Sequence, residues 1–286
     1  MAKTDYDYAL AHRYRAVHNG PFVPGVTTVI GVLDKPQLMW KAAEIAARSA
    51  FENTRRKRSI VKKHREWLVS SKGKTATAIR KRTLGLEGSD NEVYLHWARG
   101  DFDRQWKAKA ARGSRVHDVA ERWSRGEDVE VLPEDSAYVD ALEQFHRVYR
   151  PKFIAVEQVV IDPDGRYGGR FDGIVELDGP NASGVFMIDY KTGGEYVDSV
   201  AMQFAGYMEC ELAKYDDKGN LTGSEPLPKL DGARTIYLRD DGTVGVSHPF
   251  YTVDYGIARS AFRACLQTFE AITMLRNTIK ESGDNE

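Results

Sequence analysis

The sequence has only two cysteines, Cys210 and Cys265, and this scarcity excludes a disulfide scaffold and a four-cysteine iron–sulfur site. Both read as buried thiols in a reducing compartment. No run approaches the roughly 18 consecutive apolar residues that a membrane helix requires. The polar start, Met1 to Arg15, has no apolar signal region, which points to a cytoplasmic protein without membrane contact. The chain has no internal repeat and almost no net charge, −1 over 286 residues. With 42% hydrophobic and 29% charged residues, disorder and fibrous repeats are excluded as well.

The near-neutral total conceals a strong asymmetry. Between Asn53 and Arg82 stand twelve basic residues, opposed only by Glu66; this segment is +11 and the rest of the chain −12. A block of that density is either a solvated helical face or a surface for a polyanion. Phosphate contact is the sharper reading, because lysine and arginine displace counterions from nucleic acid. Arg55, Arg56, Lys57, Arg58, Lys62 and Lys63 form its densest part. Trp67, inside the block, is expected to anchor the helix to a core.

The order of elements predicts one α/β domain over 1–286, a helical basic part (1–112) before a core (113–286). Pro21–Leu33 reads as a strand or turn and Gln37–Phe51 as a helix. The basic block reads as helical, with breaks near Ser70–Gly73 and Gly85–Ser89. Another helix is expected over Asn91–Ala111. Gly113-Ser114 reads as a fresh helix start, with Val116, Val119, Ala120 and Trp123 as its apolar stripe. A helix over Asp135–Tyr149 stops before Pro151. Strand chemistry follows at Phe153–Ile161, Tyr167–Leu177 and Gly184–Lys191, separated by turns at Asp162–Gly165 and Asp178–Asn181. Ser199–Tyr215 reads as an amphipathic helix, and Ala233–Arg239 with Thr243–Phe250 as a hairpin about Asp240-Asp241-Gly242. A last helix, Asp254–Lys280, places Ile257, Ala261, Cys265, Phe269 and Ile272 on one stripe, before a frayed polar tail.

Chemistry concentrates in the strand region. In Ile188-Asp189-Tyr190-Lys191 the carboxylate and the ammonium share one face, and a hairpin brings Asp172 beside Asp189. Two close carboxylates repel, and Mg²⁺ relieves that repulsion while favouring carboxylate, water and phosphate oxygens. Glu157 is the one charge in an apolar row. His117 and Glu121, and likewise Gln203 and Tyr207, stand four apart on one helix side. A P-loop is excluded, because Gly73-Lys74-Thr75 has Leu68 where the earlier glycine belongs.

In order, Arg112-Gly-Ser-Arg-Val-His117, Glu157, Gly169-Arg-Phe-Asp172-Gly, Ile188-Asp-Tyr-Lys191-Thr-Gly and Gln203-Phe-Ala-Gly-Tyr207 resemble the RecB-like branch of the PD-(D/E)xK nuclease superfamily. Val23–Ile30, with Lys35-Pro36 and Trp40, also resembles the start of single-domain phage members. The resemblance covers about Pro21 to Tyr215. Phe171 stands where the superfamily's name has proline.

The resemblance implies a restriction-endonuclease-like central mixed sheet flanked by helices and a Mg²⁺- or Mn²⁺-dependent deoxyribonuclease without an iron–sulfur cluster. His117, Asp172 and Asp189 would bind the metal with the Tyr190 carbonyl. Lys191 would orient or activate the attacking water, Glu157 would assist, and Gln203 and Tyr207 would contact DNA or brace the site. It implies an exonuclease acting on double- or single-stranded DNA ends in recombination or DNA processing, with room for a recombination partner protein. The alternatives are a structure-specific endonuclease and a non-catalytic DNA-binding module of the same fold.

Overall fold

The computed structural model describes residues 3–33, 36–70, 89–193, 197–247 and 252–283. The chain forms two compact units: 1–33 with 112–286, and 34–111. The expected breaks at Gly73 and Gly85, and the Gly73-Lys74-Thr75 triplet, lie outside the described residues, as do the end of Thr243–Phe250 and the last three residues.

The larger unit opens with α1 (Asp5–Leu10), the two-residue strands β1 (Tyr14–Arg15) and β2 (Phe22–Val23), and α2 (Val26–Ile30). α2 lies where the β-branched run predicts a strand or turn. Tertiary packing overrides the local preference here. Val26, Val29 and Ile30, spaced for one helix face, are buried in the main core.

The smaller unit is helical: α3 (Pro36–Glu52), a 3₁₀ turn (Thr54–Arg56), α4 (Lys57–Ser70) and α5 (Asp90–Arg99), followed by the first part of α6 (Asp101–Ser124). Ser89 caps α5 reciprocally with Glu92. Val61, Val93 and Tyr94 form its core, and the Tyr94 hydroxyl donates to the Ala50 carbonyl at 2.6 Å. Trp67 is not the expected anchor. It is 57% exposed and lies flat over the His64 ring, centroids 5.3 Å apart.

α6 corrects a predicted boundary. The helix runs unbroken through Gly113 and Ser114, and the break falls at Gly100, between α5 and α6. After it come α7 (Ser136–Tyr149), β3 (Lys152–Val156), β4 (Val159–Ile161), β5 (Gly168–Arg170), β6 (Gly173–Gly179) and β7 (Ala182–Lys191). The chain continues with α8 (Val197–Met208), β8 (Glu211–Tyr215), β9 (Leu221–Pro226), β10 (Gly232–Leu238), β11 (Val244–Val246) and α9 (Thr252–Gly283).

The larger unit is mixed α/β. A five-stranded sheet has the order β11-β10-β7-β6-β3; β10 runs parallel to β7 and the other pairs are antiparallel. Residues of α6 and α7 pack with Phe186, Ile188 and Tyr190 on one face, and residues of α2, α8 and α9 with Ile174 and Met187 on the other. Strand alternation divides β7 between these two cores. A second, antiparallel sheet has the order β5-β4-β8-β9.

Two predicted strands are thereby corrected. Phe153–Ile161 and Tyr167–Leu177 each split, one half in each sheet, and the chain crosses between sheets at Glu157–Gln158 and again at Phe171–Asp172. The predicted helix Ser199–Tyr215 ends at Met208. Its last residues form β8, paired with β4 and β9, a long-range partnership that local sequence does not announce. In α9 the buried stripe is Ala258, Phe262, Cys265 and Leu266, while Ile257 and Ala261 face solvent. The expected stripe was out of phase for most of its length.

Candidate metal centre

The two sheet crossings lie side by side. The Glu157 amide donates to the Asp172 carbonyl at 2.9 Å, and the Phe171 amide to the Gln158 carbonyl at 3.3 Å. Glu157 has the left-handed backbone angle φ 49°. A non-glycine residue there carries strain of order 1–3 kcal/mol and needs its surroundings to hold it. The kink turns Glu157 out of the apolar row in which a continuous strand would have placed it.

Asp172 precedes β6, whose Gly173 pairs with Ile188 of β7. Asp172 and Asp189 are thus neighbours on the face that also carries Ile174 and Met187. The Tyr190 amide donates to Asp172 Oδ2 at 2.6 Å, so a main-chain donor of β7 fixes this carboxylate. His117 arrives from α6, which packs on the opposite face, and its Nδ1 lies 3.3 Å from the same Oδ2. Arg115, two residues earlier, grips the buried Asp135 with two nitrogens, Nε at 2.6 Å and a terminal nitrogen at 3.0 Å. That fork pins α6 to the start of α7 and holds His117 in place.

His117, Glu157 and Asp172 offer ligand atoms that all lie within 4.8 Å of one another. Asp189 stands beside this group but is otherwise engaged. Lys191 Nζ is 2.6 Å from its Oδ2, an ion-pair contact off the ideal hydrogen-bond direction. Gln203 Nε2 donates to Asp189 Oδ1 at 3.1 Å and to the Tyr207 hydroxyl at 3.2 Å. At Tyr190 the group that meets Asp172 is the amide. Tyr207 is buried and its ring lies against Gly169, where any side chain would overlap it. Arg55, Arg56, Lys57, Arg58, Lys62 and Lys63 belong to the helical unit; all but the half-buried Lys57 are exposed, and Lys57 donates to Asn91.

The charges are interdependent. Burial alone would lower His117, but Asp172, helped by Asp189, reverses this and raises it to about 9. Glu157 is pushed up to about 7, first by burial and then by Asp172, against the opposing pull of Arg170. Burial would raise Asp172, yet His117, Lys191 and the Tyr190 amide hold it below the usual carboxylate range. Asp189 moves the other way, raised by burial and by Asp172 despite Lys191. Two carboxylates and an imidazole in this space fit a hard divalent cation: the ligand types are right, and Glu157 resists ionising without one.

Two residues of the site were not singled out as functional by the sequence pattern. Arg170 Nε lies 2.9 Å from Glu157 Oε2. Tyr14, buried in β1, is raised to about 12 by burial, with Glu157 adding and Arg170 opposing. Arg170 stood in plain view within Gly-Arg-Phe-Asp. Tyr14 gave no sequence signal. No protein-family model and no curated protein matches this chain.

Proposed function

We propose that this protein is a divalent-cation-dependent deoxyribonuclease with a restriction-endonuclease-like core, related to the RecB-like PD-(D/E)xK enzymes and acting as an exonuclease on DNA ends. The observation that carries the reading is the convergence of His117, Glu157 and Asp172, from three separate segments, beside the Asp189–Lys191 pair. The exposed cations of the +11 block support a polyanionic substrate.

His117, Glu157 and Asp172 would hold Mg²⁺ or Mn²⁺, with Asp189 alongside. Such an ion, when bound, supplies Lewis acidity toward a phosphoryl oxygen and makes a coordinated water more acidic. The residues of the chain do the rest. The Tyr190 amide preorganises Asp172. Gln203, braced by Tyr207, orients Asp189. Lys191, held by Asp189, keeps a positive charge where negative charge grows during phosphodiester cleavage.

The deciding experiment offers end-labelled linear DNA, closed circular DNA and single strands to the protein with Mg²⁺ or Mn²⁺. Shortening of linear DNA with the circle intact is the expected result. Opening of the circle would identify an endonuclease. Tight binding without cutting of any form would leave a non-catalytic DNA-binding module.

A further inference from the structure

One carboxylate in the site has two claimants. Glu157 is one of the three groups suited to a common cation, and it is also ion-paired with Arg170 at 2.9 Å, the two side chains only 9% and 18% exposed. Arg170 closes β5, two residues before Asp172, so its guanidinium is built into the same crossing that positions the cluster. It is not sealed from the surface. Part of its own side chain stays open to solvent.

A guanidinium matched to a carboxylate presents little net charge to anything else. Released, the same planar fork suits a phosphate with two parallel hydrogen bonds. We propose that Arg170 is a phosphodiester-binding residue of this site, masked by Glu157 in the metal-free protein and unmasked when that carboxylate engages a divalent cation. The inference rests on the nucleic-acid reading above. It makes cation and substrate reinforce one another: whichever engages its half of the pair frees the other half, and such coupling is reciprocal.

The test needs no metal and no turnover. A labelled oligonucleotide is titrated in EDTA, over a range of salt concentrations, with the wild-type protein, Glu157→Gln, Arg170→Gln and the double variant. Glu157→Gln should bind about three- to tenfold more tightly, with a salt slope steeper by about 0.7–0.9, the contribution of one phosphate contact. In the Arg170→Gln background the same substitution should give no gain, a non-additivity that isolates the pair. A gain that persists there would be a general charge effect and would overturn the proposal, as would no gain from Glu157→Gln. If Arg170→Gln does not fold, Arg170→Lys in the Glu157→Gln background replaces it: the steeper slope should be kept and the affinity gain reduced, and a lost slope would contradict a charge contact. Wild-type protein that cuts DNA with Mg²⁺ but gives an additive cycle would sink the Arg170 assignment alone. Failure of every variant to bind DNA would remove this inference together with the nucleic-acid reading.

Discussion

Asp189 is buried, and Lys191 meets it at 2.6 Å. Taking that ammonium away strips a buried acid of its cation; because the lysine end is 30% exposed, the loss is about 1–3 kcal/mol, below that of a sealed pair. Lys191→Ala should therefore lower thermal stability and cut DNA cleavage by on the order of a hundredfold or more, while oligonucleotide affinity in a calcium buffer stays within about threefold. Equal losses of affinity and cleavage would make Lys191 a phosphate contact. The buried Gly169 gives a second test, because a methyl group there overlaps the Tyr207 ring. Gly169→Ala should destabilise by about 1–3 kcal/mol in urea unfolding, and Gly169→Ala/Tyr207→Leu should recover part of it. At this scale the sequence disclosed the adjacency of Asp172 and Asp189, because a short hairpin joins their strands. It disclosed His117 only through family resemblance, since nothing local ties residue 117 to residue 172. The left-handed turn at Glu157 was hidden inside a run with ordinary strand composition, and with it the pairing to Arg170.

Among the elements, α6 gives the sharpest check. Gly113 sits in mid-helix with negative φ, and an added Cβ would meet only the Thr192 hydroxyl at an ordinary 3.5 Å. Gly113→Ala should raise stability by about 0.5–1 kcal/mol, measured by chemical denaturation; a helix beginning at residue 114 would show no such gain. For α4, reversing Arg58, Lys62 and Lys63 to glutamate should weaken DNA binding and flatten its salt dependence. An unchanged slope would mark α4 as a solvated face. Helices with strong apolar periodicity, such as α3 and α7, were legible within a residue or two. β8 was not, because its strand state depends on β4, some fifty residues away. The phase of α9 was misread because its apolar residues outnumber its buried ones, and periodicity alone does not say which stripe meets α8.

For the molecule as a whole, pH and cation should act in opposition. His117 rises from 6.5 to about 9 on folding, and Glu157 from 4.5 to about 7. Both bind protons more readily in the folded chain, so their contribution to stability falls as pH rises, through roughly 4.5–7 for Glu157 and 6.5–9 for His117. Calorimetry in EDTA should show Tm falling by on the order of 5 °C between pH 6 and 9, for about 1–3 kcal/mol, and saturating Mn²⁺ should flatten that slope. A Tm indifferent to pH would mean that His117 and Asp172 are not paired. The α/β character was legible from the order of helical and strand chemistry; the division of its strands between two sheets was not, since each crossing is two residues long. That division carries a kinetic corollary. Glu157 and Asp172 reach their places only once both sheets have paired around them, and His117 only once α6 has docked. A half-assembled chain thus lacks the proposed cation site, and manganese uptake during refolding should lag behind the recovery of helical signal, serving as a clock for the final step of assembly.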